Sequence, residues 1–276
     1  ESKARELGAS TKFSATEVAE GFKYMALAGW DVQQSIDAIP GVLDLAAASG
    51  EDLAIVSDIL TDAISAFGDK ASDAERYADV LAAAATNANT DVAGLGEAFK
   101  YVAPVAGALN YEVEDVAVAL GLMANQGIKG SSAGTALRNV LTNLTSPTKE
   151  MATEMEKYGI SIKDSLDQLL KELRGTFANL SEDQKAQLAA TLAGKEGMSG
   201  LLAIVNASDE EFNALTDAIH NSEGAAAKMA EVMGDTTKGR IDAMNSAIEG
   251  LAIQIFKALQ PALDWVVKKI TAVAEF

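Results

Sequence analysis

The chain has 276 residues, 49% hydrophobic but only 5% aromatic, with 40 acidic against 22 basic side chains and a net charge of −18. That balance argues against direct nucleic-acid binding, which needs clustered Lys and Arg to replace phosphate counterions, and the absence of cysteine excludes disulfides and thiolate metal sites. Ala, Leu, Val and Ile carry the apolar content, enough for a core; Ala and Leu favour helix where aromatic and β-branched residues favour strand, so the composition predicts an all-α fold.

Helix starts recur along the chain. SATE (residues 14–17), SDAE (72–75), SEDQ (181–184) and SDEE (208–211) all fit the capping box, in which Ser accepts from a first-turn amide and the acid or Gln reaches back. Between them run segments with apolar positions three and four apart, such as Leu53, Val56, Ile59, Leu60, Ile64 and Phe67. The reading is about a dozen short helices joined by tight Gly, Asn and Ser turns.

An internal repeat appears at an offset of 77 residues. FKY at 22–24 recurs at 99–101, and Leu43, Leu45, Ala47 and Gly50 fall on Leu120, Leu122, Ala124 and Gly127. Apolar pairs such as Ile36/Val113, Leu60/Leu137 and Ile64/Leu141 extend the match. The expected units are residues 16–68 and 93–145, packed about a pseudo-twofold axis so that each covers the other's apolar face.

The glycine-rich GIKGSSAG (127–134) is not a P-loop, because Lys129 precedes Gly130 and no strand leads into it. Its expected role is packing and capping: Gly127 ends one helix, Ser131 or Ser132 caps the next, and Gly130, Ala133 and Gly134 let backbones approach closely. A helix-start anion site at the amides near Ser131 and Ser132 is the competing reading. Downstream, Ile160 and Ile162 alternate as in a short β-bridge or a turn, ahead of a helix carrying Leu166, Leu169, Leu170 and Leu173.

From Gly239 the pattern lengthens. Ile241, Met244, Ile248, Leu251 and Ile255 follow a heptad spacing suited to a coiled-coil self-association seam. The register shifts near Pro261, where Leu259 and Leu263 take over and continue through Val266, Ile270 and Val273, predicting local unwinding or a kink. An amphipathic helix lying back on its own domain fits the same spacing. The expected division is a compact helical domain over residues 1–206 and a helical extension over 207–276. The chain opens at Glu1 without Met or a signal-like segment and reads as a piece of a longer protein. No uninterrupted apolar run reaches the roughly 18 residues of a spanning helix.

Three stretches carry a family resemblance: SDILTDAISAFG (57–68), residues 78–110, and NQGIKGSSAGTALRNVLTNLTSP (125–147). Together with LAGKEGMSGLLAIVNAS (192–208), they closely resemble the conserved core of phage tail tape measure proteins of the TP901 type. The resemblance implies a long, mostly helical protein of the virion tail, made in the bacterial host cytoplasm. Such a protein fills the tail lumen, sets tail length and leaves ahead of the DNA. It also implies as partners further copies of itself, three in related tails, with tail tube and tail-tip proteins and tail-assembly chaperones. The alternative function is a membrane-active conduit for DNA passage, in which residues 251–276, with Trp265 beside Lys268 and Lys269, contact the host membrane.

Catalysis finds little to use. The single histidine, His220, is expected beside the last carbonyls of its own helix. It lacks the spacing of a metal site, so no metal or cofactor is expected. The acid groups Glu51/Asp52, Glu114/Asp115 and Asp209/Glu210/Glu211 lie where helices begin, where the dipole favours negative charge. They read as structural rather than as hydrolase carboxylates, and the expected function is not enzymatic.

Overall fold

A computed structural model describes residues 2–274, and among these there are fourteen α-helices, one 3₁₀ turn and no strand. The helices are α1 Ser2–Ser10, α2 Ala15–Leu27, α3 Val32–Ser49, α4 Leu53–Phe67, α5 Ala74–Asn87, α6 Val92–Ala108 and α7 Val113–Asn125. They continue as α8 Gly130–Thr145, α9 Lys149–Tyr158, α10 Leu166–Ala178, α11 Glu182–Asn206, α12 Asp209–His220, α13 Ala225–Gly234 and α14 Thr237–Ala274. Ile160 and Ile162 lie in the irregular segment between α9 and α10, with Ile160 buried.

Local chemistry explains most of the starts. Ser14 and Ser181 make full capping boxes with Glu17 and Gln184, while Ser208 accepts from the Glu211 amide alone. The expected box at Ser72 is displaced: Ser72 lies inside the 3₁₀ turn Ala71–Asp73, and the Asp73 carboxylate accepts from the Lys70 amide at 3.0 Å. A box at Asp31 with Gln34 opens α3, a D-x-x-Q pattern that the search for Ser missed.

The helices alternate between two layers. One runs α2, α4, α6, α8 and α11, each packed on the one before; the other runs α3, α5 and α7, with α13 laid over α3 and α5 and α12 over α5 and α7. The core between them is aliphatic, with one aromatic cluster in which Phe67 stands edge-on to Tyr77 and Phe99 at centroid distances of 6.0 and 6.1 Å. Tyr77 is buried, and its hydroxyl donates to Asp69 at 2.7 Å. Burial, then the bond to Asp69, pushes its pKa far up.

The expected repeat units fall on α2–α4 and α6–α8. α2 and α6 open at Ala15 and Val92, and α4 and α8 at Leu53 and Gly130, each pair 77 residues apart. Gly50 and Gly127, behind α3 and α7, both take left-handed φ, +74° and +83°, a conformation that costs other residues steric strain. Gly21 faces Ser57 across α2 and α4, and the same two positions in the second unit, Ala98 and Gly134, meet across α6 and α8. The units do not face each other across a twofold axis, which corrects the expectation. α4 packs on α6, and the reciprocal packing of α2 on α8 is not among the substantial contacts of the described residues. Such an interface is head to tail, as in a stack of helical hairpins.

The compact body does not end at residue 206. Phe212, Leu215 and Ile219 of α12 and Ala226 of α13 are buried. Leu215 in turn fills the space over Gly121, where an added β-carbon would lie 2.8 Å from it. The expected boundary at 206/207 therefore moves to Gly234, and α14 alone extends from the body.

Candidate functional site

Three buried charged side chains tie late elements to early ones. Asp79 of α5 accepts from the Gly224 and Ala226 amides at 2.8 and 2.9 Å, capping α13 from a distant point in the chain. Asp115 of α7 accepts from the Asp167 amide at 3.0 Å, at the start of α10, and its Oδ1 lies 3.0 Å from His220 Nε2. Burial pushes the Asp115 carboxyl up, against the amide bond and His220, which favour the charged form. Arg174 of α10 donates to the Ile204 and Ala207 carbonyls at 2.9 and 2.7 Å and to Asp209, and lies over the Phe212 ring. It thereby satisfies orphan carbonyls at the end of α11.

These contacts account for much of the acidic chemistry noted in the sequence. His220 bonds Asp115 rather than the carbonyls of its own helix, which corrects that expectation. Glu114 and Glu112 both pair with Arg76, which the Glu114 bond holds well above its usual pKa. Asp209 pairs with Arg174, and Glu211 accepts from Asn125 at 2.8 Å. Among the described residues no cluster of His, Asp and Glu is arranged to hold a metal ion.

The glycine-rich loop divides between turn and contact. Gly127 takes the left-handed turn behind α7, and Gly130 opens α8 with φ +56°. Lys129, not Ser131 or Ser132, occupies the N-cap of α8 and makes no capping bond, its ammonium donating instead to Asn89 at 2.9 Å; both serines are exposed in the first turn. Ala133 is buried, and at Gly134 an added β-carbon would stand 2.1 Å from the Ala98 carbonyl oxygen, so the backbones of α6 and α8 touch there.

The remaining candidate is α14. Ile241, Met244, Ile248, Leu251 and Ile255 are 49–58% exposed, and Phe256, Leu259, Leu263 and Val266 extend the apolar stripe along the same helix. Gly239, Asp242, Ser246, Glu249, Gly250 and Ile253 are the positions shielded by the body. At about 100° per residue the two sets lie on opposite sides of the helix. α14 thus rests on α1 and α2 by its small and polar side and turns its apolar side outward; it does not lie back on the body by the apolar face. Ser246 donates to the Lys12 carbonyl at 2.6 Å and Thr16 to Glu249 at 2.7 Å. A cleft of about 370 Å³, walled by both ends of this contact, separates α14 from the α3–α4 turn. The helix continues unbroken through Pro261 to Ala274. The side chains of Lys268, Lys269, Ile270 and Val273, and residues Glu275 and Phe276, lie outside the described residues.

Comparison with known proteins decides the family. The family model described as phage-related minor tail protein matches residues 1–194. The chain belongs to that family. That description does not distinguish a TP901 type within it. The chain is 41% identical over 276 residues to a protein of Pneumococcus phage Dp-1 named tape measure protein, covering 98% of the chain and 24% of that relative. It is 30% identical over 280 residues to a probable tape measure protein of Escherichia phage P2, covering 98% and 34%. It therefore spans about a quarter of the first relative and about a third of the second. No solved structure matches.

The membrane alternative finds no support in these comparisons. Among the described residues one helix, α11, is long and apolar enough to cross a bilayer, although no uninterrupted apolar run announced it. Gly194, at φ +70°, breaks that helix, and 56% of its apolar window is buried inside the body.

Proposed function

We propose that this segment is part of a tape measure protein that sets tail length during phage assembly, occupies the tail lumen and is ejected ahead of the DNA. The observation that carries the reading is the 41% identity, across nearly the whole chain, to a protein of that name. The role is structural rather than catalytic: His220, Glu114, Asp115 and Asp209 are engaged in holding helices together. Residues 2–236 form a folded module, and α14 is the start of an extended helical part. The exposed seam at Ile241, Met244, Ile248, Leu251 and Ile255 associates with other copies inside the tail. Tail tube and tail-tip proteins and assembly chaperones are the further partners.

The test is tail length by electron microscopy after in-frame deletions in the parent gene. Removing residues 237–274 is expected to shorten the tail by about 57 Å, at ~1.5 Å per helical residue; unchanged length would overturn the ruler role of this helix. Removing residues 2–236 is expected to leave length nearly unchanged. A proportional loss of about 350 Å would mean that the module lies extended in the tail instead.

A further inference from the structure

We propose that α14 is a detachable arm, which pivots at the turn between Gly234 and Thr237 and leaves the body without disturbing its core. Three independent observations carry this, and none depends on the tail role.

The first is what the contact contains. Of the α14 side facing the body, Gly239 and Ser246 are buried, and among the described side chains of this helix Ile253 is the one large apolar residue even partly shielded. Undocking therefore exposes little apolar surface of α14 itself, so the hydrophobic effect on the side of the arm does little to hold it down. The second is what replaces that force. Two side-chain hydrogen bonds, Ser246 to the Lys12 carbonyl and Thr16 to Glu249, span the contact. Both can be exchanged for bonds to water, and Thr16 is exposed already. Lys12, at the same contact, is held below its usual pKa by burial, against the attraction of Asp242 on α14, so lifting the arm trades that attraction for solvation of the ammonium.

The third is where the firm attachment stops. α13 is fixed to α5 by the Asp79 carboxylate on two amides, and Ala226 is buried there. Beyond it, the α13–α14 turn is closed locally: the Gly239 amide donates to Thr236 Oγ1 at 3.1 Å, and Arg240 pairs with Asp235 at 3.6 Å. α14 carries its own start with it, so it can swing as an intact helix.

Since the chain has no cysteine, Lys23→Cys and Lys257→Cys supply two unique label sites, on α2 and on α14 beyond the contact, both exposed. Electron–electron spin distances would be measured on the full chain diluted with unlabelled protein. The expected result is a docked distance together with a broad detached population. Thr16→Val with Ser246→Ala should lower the docked-to-detached ratio by roughly two- to tenfold for each bond removed, with the thermal melting of the body unchanged. A single narrow distance, the same in the parent and the double variant, would overturn the proposal.

Discussion

At Gly134 there is no space for a β-carbon, because the Ala98 carbonyl oxygen occupies it at 2.1 Å. Gly134→Ala should force α6 and α8 apart and cost about 3 kcal/mol, read by urea unfolding; Gly134→Leu should abolish folding. The corresponding helix pair of the first unit carries its glycine on the other helix, with Ser57 at the position that matches Gly134, and behaves differently. At Gly21 the added carbon would meet the Ser57 hydroxyl at 3.3 Å, a contact that a small shift relieves. The helix propensity gained by Gly21→Ala, about 1 kcal/mol, offsets it, so that variant should melt close to the parent. If both variants unfolded alike, the contact geometry would not be the cause. A second prediction concerns charge. Burial, then Glu75 and Asp79, pushes the Asp44 carboxyl up from its usual range. The folded state thus holds that proton more tightly than the unfolded chain, so the associated stability is present below the unfolded pKa and is lost as pH rises through the folded one. Asp44→Asn should therefore melt higher than the parent at pH 7 and level with it near pH 3. Equal melting at both values would show that Asp44 is not under strain.

At the scale of the element, α14 decides most. Its exposed apolar stripe runs from Ile241 to Val266 as nine large side chains, each 43–62% exposed, the kind of contiguous patch that marks an interaction surface. Ile248→Glu with Leu251→Glu should leave the thermal melting of the body unchanged while abolishing self-association in analytical ultracentrifugation. A parent chain that sediments as a monomer at every concentration would remove the seam from the isolated segment. The heptad spacing of this stripe, the Ser-led boxes at 14 and 181 and the left-handed turn at Gly127 are local patterns, and local patterns are legible in sequence. The buried charges were not legible, because their partners lie far along the chain: Asp79 reaches Gly224, Asp115 reaches Asp167 and His220, and Arg174 reaches the end of α11. Acids in a first helical turn read equally well as exposed dipole partners, so Asp115 gave no sign of its burial. The register of 77 residues is the pattern that we read as a duplication of a three-helix unit. Its head-to-tail stacking was not legible, since apolar periodicity says which face is buried and not against what.

For the whole molecule, the question is where the cooperative body ends. Phe212, Leu215 and Ile219 follow the same three-and-four spacing as the seam on α14, so spacing alone does not tell them apart. Burial separates them: the first three are within the core, whereas the seam residues are about half exposed. A chain ending at Thr236 loses only the small and polar contact face of α14 and should melt within a few degrees of the full chain. A chain ending at Asn206 loses α12 and α13 together. It uncovers Gly121 where Leu215 packs, and leaves Asp79 without the two amides it caps and Asp115 without His220. Losing the burial of Phe212, Leu215 and Ile219 together with these bonds costs several kcal/mol, comparable with the whole stability of a domain. The shorter chain should therefore be unfolded or aggregated at 37 °C by circular dichroism and light scattering, while the longer one gives a sharp single transition. If both chains melted alike, α12 and α13 would belong to the extension after all, and the arm would begin thirty residues earlier than Thr237.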